Sequence, residues 1–185
     1  MSFDPTRYGP AFARLIDESI TPSLGPGSPD RAKRSQLSAL TAKHAFDRAV
    51  KNQDMAQACI SGVWLLHDFL DDSHTISQSI HSSTGSYWHG IMHRREPDYS
   101  NAKYWFHKVG RHPIFPDLAD AVQELIAPYE EANLLISGSE WDPFAFVDLC
   151  QLAYRRGNDL ETLCERIQSI EWQILFDYSY NAATS

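Results

Sequence analysis

The stretch from Met55 to Ser77 constrains the fold more than any other. Ile60, Val63, Trp64, Leu66, Phe69 and Leu70 recur at helical spacing and cover almost the whole circumference. A helix that is apolar nearly all round is stable only when neighbours cover every side, so this one must be central in a bundle. The pattern predicts that Asp54 caps it and that it is the most buried helix of the chain. Asp71-Asp72-Ser73 either bends it or ends it, and Thr75 to Ile80 supplies a short further turn.

The rest of the chain supplies the helices that wrap it. Phe12, Leu15 and Ile16 mark a helix within Asp4 to Ser19, and TPSLGPGS, with two prolines and two glycines, places a loop at 20–28. Ser28-Pro29 reads as a cap followed by proline at the first helical position, and Leu37, Leu40, Ala45, Phe46 and Val50 keep the helical period beyond it. Ser82 to Ser86 is a loop and cap cluster before a helix from Tyr87 to about Arg95. Asp98 caps Tyr99 to Val109, with Gly110 just past its end. Asp117 to Tyr129 is amphipathic. Asp142-Pro143 opens a helix that Gly157-Asn158 closes, and Asp159 opens the last, with a loose tail at 181–185. No segment alternates with period two. The expectation is an all-α fold, a single-domain irregular helical bundle of about eight helices over residues 1–185.

Composition narrows the partners. The formal charge of −8 argues against nucleic acid or an anionic membrane surface, which are usually met by a basic excess. No run approaches the roughly 18 apolar residues of a membrane span. Cys59, Cys150 and Cys164 have no CxxC spacing and sit in apolar patterns, so they read as buried thiols; with the lack of a leader-like start, this points to a cytoplasmic setting. No glycine-rich phosphate or dinucleotide motif is present, so neither nucleotide nor flavin is expected. Charge is unevenly spread: five Lys or Arg against two acids between His89 and His112, then eight acids and no Lys or Arg from Asp117 to Asp148. A basic site on an acidic chain favours a small anionic ligand.

Leu66 to Pro113 holds seven of the eight histidines. If Met55 to Ser77 is one helix, His67, Asp71, His74 and Gln78 form a polar stripe that continues the apolar face and turns inward. His89 and His93 are four apart on the next helix, a metal-ligand spacing without the glutamate of a zinc metalloprotease. An absent Glu-x-x-His pair disfavours a di-iron bundle. The expected site is an internal polar pocket with His67, Asp71, His74, His89 and His93 as ligands for zinc, iron or manganese. His67, Asp71 and His89 are its candidate catalytic groups. Arg94, Arg95, Lys103 and Gln78 would bind substrate, with Arg94 or Arg95 at the mouth.

Some segments carry resemblances. WHGIMHRREPDYSNAKYWFHKVGRHPIF and WDPFAFVDLC resemble segments of a group of uncharacterised bacterial and fungal proteins, which implies no activity. DYSNAKYWFHKVG resembles the second helix of a tetratricopeptide-like or Sel1-like repeat over about fifteen residues, without a second copy at the period an array needs. His67-Asp68 resembles the adjacent pair of HD-type phosphohydrolases, with His44 and a later aspartate as further matches.

Three functions fit these features. One is a metal-assisted hydrolase or lyase acting on a small anionic substrate. Another is a non-catalytic small-anion or metabolite-binding protein. The third is a helical interaction module, meeting a protein partner or a second copy through the acidic surface.

Overall fold

The structure is a computed structural model that describes residues 3–17, 20–157 and 159–185. Among them are nine α-helices: α1 Pro10–Ala13, α2 Arg34–Ser38, α3 Gln53–Leu66, α4 Leu70–Ser77, α5 Ser83–Arg95, α6 Tyr99–Val109, α7 Phe115–Ile126, α8 Pro143–Arg156 and α9 Asp159–Thr184. Two short 3-10 turns, Pro5–Tyr8 and Glu130–Ala132, and a two-stranded antiparallel ribbon, β1 Ile136–Ser137 and β2 Glu140–Trp141, complete it. The fold is an all-α bundle with a single apolar core.

Local chemistry sets most helix ends. The Ser82 hydroxyl accepts from the Gly85 amide at 3.1 Å, Asp98 from Asn101 at 3.2 Å, and Asp142 from Phe144 at 2.8 Å, each satisfying an otherwise orphaned first-turn donor. Gly110 and Gly157 end α6 and α8 with positive φ. α3 is capped by Asn52 rather than Asp54: its side chain accepts from the Met55 amide at 3.2 Å.

α9 lies against α3, α7 and α8, and α5 packs on α3, α4 and α6. Close approach depends on small residues: a Cβ on Gly62 would sit 2.7 Å from the Trp88 ring, and the Gly62 carbonyl accepts from Trp172 Nε1 at 2.8 Å. α3, α5 and α9 therefore meet at a residue whose lack of a side chain lets two indoles in.

Several expectations are corrected. α5 is the most enclosed helix, buried from Thr84 to Arg95, whereas α3 is buried at Ala56 and from Ala58 to Leu66. The polar composition of α5 hid this, because its histidines and arginines are buried with partners. The N-terminal segment is a 3-10 turn followed by one turn of α-helix; Glu18 and Ser19 lie outside the described residues, as does Asn158. The Ser28-Pro29 start gives turns, with helix only from Arg34. The tail is helical to Thr184, because Tyr180 and Ala183 are buried and the Ala183 carbonyl accepts from the Lys51 and Asn52 amides.

Candidate metal centre

The long helix expected from Met55 to Ser77 is broken at His67–Phe69. His67 ends α3, Asp68 takes φ 63°, and Phe69 precedes α4. A residue with a Cβ in that region is held there by its surroundings. The Asp68 carboxylate pairs with Arg95 and also accepts from the Ser28 amide at 2.9 Å, while Arg95 Nη1 donates to the Leu65 carbonyl at 2.6 Å. Arg95 Nε reaches the Ser23 carbonyl at 2.9 Å. One buried guanidinium thus ties the end of α3 to the 20–28 loop.

The break separates the residues of the proposed stripe. His67 turns toward the N-terminal segment, where Nε2–H donates to the Leu15 carbonyl at 2.8 Å. Asp71 and Gln78 are exposed. Neither His67 nor Asp71 joins the histidines, so the five-ligand site and the catalytic roles given to these two residues have no geometric basis. His67-Asp68 is likewise a helix terminus with its polar atoms engaged locally.

What does converge is His74 on α4 with His89 and His93 on α5. One nitrogen from each ring lies within 4.8 Å of the other two. The ring centroids are 4.6 Å apart for His74 and His89, 4.6 Å for His89 and His93, and 5.4 Å for His74 and His93. His89 and His93 are buried and His74 is partly exposed.

Outer hydrogen bonds fix the tautomers. Ser77 Oγ lies 2.8 Å from the Ser73 carbonyl and 2.8 Å from His89 Nδ1. A hydroxyl has one proton, and the carbonyl can only accept it, so Ser77 accepts from His89 Nδ1–H. His89 Nε2 then carries a lone pair. On His93, Nδ1 lies 2.9 Å from Glu96 Oε2, so it donates to that carboxylate. The two Nε2 atoms are 3.0 Å apart, with the Asn101 amide nitrogen 3.1 Å from that of His93.

Both rings favour the neutral state. Desolvation, reinforced by His93, His74 and Lys108, pushes His89 down to about 3. Desolvation also holds His93 below the usual imidazole range, although Glu96 acts in the opposite direction. With Nδ1 protonated on both rings, the two Nε2 atoms face each other as acceptors, and the Asn101 side-chain amide donates to that of His93. These three imidazoles could hold a metal ion, and Ser77 and Glu96 would then be the outer partners that orient two of them.

The expected substrate-binding residues are engaged elsewhere. Arg94 is buried against Glu171, to which Tyr87 also donates at 3.0 Å, and it reaches Gln168 at 3.3 Å. Burial disfavours its charge, but Glu171 more than offsets this and holds its pKa above the ordinary arginine value. Arg95 is the staple described above. Lys103 pairs with Asp148 at 2.6 Å, and Arg111 pairs with Glu140. The basic segment is therefore largely neutralised within the molecule, partly by the acidic segment that follows it.

Arg94 and Arg95 do not stand at the mouth of a pocket, and an enclosed polar cavity spanning Leu66 to Lys103 is not what forms. An open groove of about 960 Å³ is lined by Arg31, Arg34, Asp71, Asp72, Glu96 and Asp98 among others, and by none of the three histidines. The remaining histidines lie apart. His44, His81 and His107 are exposed, and His112 is buried against Thr84 Oγ1 at 3.1 Å.

Sequence reasoning found His74, His89 and His93 and missed their supports Ser77, Glu96 and Asn101. Glu96 is three residues after His93, so helical spacing was the available signal for it, whereas Ser77 meets His89 across two helices and no local spacing announced that contact. No family model, curated protein or solved structure matches this chain. Among the described residues no helix is long and apolar enough to cross a membrane.

Proposed function

We propose that this protein binds a divalent transition metal through His74, His89 and His93, leaving at least one coordination position for water or substrate. The observation that carries this is the convergence of three imidazoles, one nitrogen of each within 4.8 Å of the other two, with the His89 and His93 Nε2 atoms 3.0 Å apart and their Nδ1 atoms turned to Ser77 and Glu96. The Asn101 side-chain amide that donates to His93 Nε2 at 3.1 Å gives way to the ion. A tetrahedral zinc ion with bonds of about 2.0–2.1 Å needs its donors about 3.3 Å apart, so these two require only a small separation. His74, nearer the surface, closes toward them as the third. All-imidazole donors favour zinc or iron over manganese, which prefers oxygen.

Three histidines with an open position form a ligand set used for metal-assisted hydrolysis and lyase chemistry, and that is the reaction class we assign. Arg94 and Arg95 have no part in it, since their charges are already paired within the fold.

The test is elemental analysis of purified protein before and after chelation, together with thermal melts. The expected result is one zinc or iron per chain, a lower Tm after chelation, and restoration by the metal. His93→Ala should lose the metal while keeping its helical circular dichroism. An absence of stoichiometric metal, with chelator and added zinc both leaving Tm unchanged, overturns the reading.

A further inference from the structure

The proposed centre holds its ion with neutral donors only. Among the described residues, the group whose donor atoms come within 4.8 Å of one another is three imidazoles and no carboxylate. A divalent ion there keeps its full charge, and the ion is the largest local charge in such a site. The nearest acid, Glu96, meets His93 at Nδ1 rather than at the nitrogen facing the cluster. Asp98 is occupied in capping α6, accepting from the Asn101 amide and the Ser100 hydroxyl.

The α6 side contributes donors and positive charge. Asn101, Trp105 and Lys108 share one face of α6, at steps of four and three residues. Asn101 Nδ2 is 3.1 Å from His93 Nε2. The Trp105 ring centroid is 4.0 Å from that of His89, and the Lys108 ammonium lies 4.2 Å from the Trp105 ring centre. No carboxylate pairs with Lys108 among the described residues, so its charge adds to that of the ion.

Resting on the metal reading above, we propose that the open position takes a small anion, received on the α6 side by the Asn101 amide and the Lys108 ammonium. Size follows from enclosure: His89 and His93 are 1% and 5% exposed and Trp105 lies against the His89 ring, which suits a ligand of only a few atoms. The chemical class is a monodentate anion such as formate, carbonate or azide. The basic segment thereby acts through one lysine and the ion rather than through its arginines.

The experiment uses the full chain, stripped with chelator and reloaded with cobalt(II), whose visible absorption reports changes in its ligands. Azide is the first probe and formate the second. The expected result is a saturable change in the cobalt bands with either anion. Lys108→Gln should weaken azide affinity about two- to fivefold, with cobalt affinity nearly unchanged. Cobalt that binds but is insensitive to both anions overturns the anion site and leaves the metal centre standing. Anion binding that is equal in wild type and Lys108→Gln overturns the role of α6. Failure to take up cobalt, zinc or iron at all overturns the metal reading itself, and the anion site with it.

Discussion

Arg94 and His93 are consecutive residues of α5, both buried, and their surroundings are opposites. Arg94 points to α9, where its guanidinium pairs with Glu171 and reaches Gln168, and Tyr87 of α5 also donates to Glu171, while Arg94 Nε is left without a hydrogen-bond partner. His93 points toward His74 of α4 and His89 of its own helix, three imidazoles with one nitrogen of each within 4.8 Å of the other two, where the Asn101 side-chain amide donates to His93 Nε2. A buried charge with its counter-charge is self-contained and explains itself as structure. Neutral bases directed at one point lack such a counter-charge, and that difference is the ground on which a metal site is proposed there.

The sharpest way to break this comparison is to remove one partner on the packing side. Arg94→Ala should destabilise the fold by about 3–5 kcal/mol in denaturant melts, because Glu171 is left charged in the core. Joint replacement by Arg94→Met and Glu171→Leu should recover most of the loss. Metal content should be unaffected in whatever protein remains folded. If Arg94→Ala abolishes metal binding in folded protein, the two networks are not separate.

On the other side of α5 the expected effects are on affinity. Ser77→Ala and Glu96→Gln should each lower zinc affinity about 10- to 100-fold, by releasing the ring orientation that their hydrogen bonds enforce. Glu96 is partly exposed, so its substitution should barely move the apo Tm. Competition against a chelator of known affinity measures both, and unchanged affinity in both variants removes the outer support from the site.

Acid provides a smaller test. His112 is held down to about 4 by desolvation, and His89 to about 3. Below the unfolded imidazole value of about 6.5, the unfolded chain takes up protons that these rings refuse. Stability should be full above that pH and decline as pH falls from there toward 4. His112→Gln should flatten the upper part of this profile, and an identical slope in the variant would show that His112 does not carry it. The smallest effect belongs to the surface: Lys103→Ala breaks an exposed pair with Asp148 and should shift stability by less than about 1 kcal/mol.

Legibility in the sequence followed the range of the interaction. His89 and His93 were readable as a pair because four residues of α-helix return a side chain to the same face. His74 was placed with them through a helix that in fact breaks seven residues earlier, so the residue that does converge on the pair came with two that do not, His67 and Asp71. The break depends on Arg95 reaching Leu65 and Asp68 across about thirty residues of chain, a contact that no local pattern announces. Arg94 and Arg95 were read as free cations for the same reason: their acceptors on α3, α9 and the 20–28 loop are remote in sequence.

By itself, then, the sequence determined the all-α class, the caps at Ser82, Asp98 and Asp142, the stops at Gly110 and Gly157, and the HxxxH pair. Each depends on hydrogen bonds or side-chain neighbours within about four residues, which chain geometry alone sets. Tertiary structure decided which helix is most enclosed, which cations are neutralised, and which histidines converge. Those outcomes depend on where counter-charges and acceptors arrive when distant segments pack, and burial then makes the pairing of each polar group obligatory.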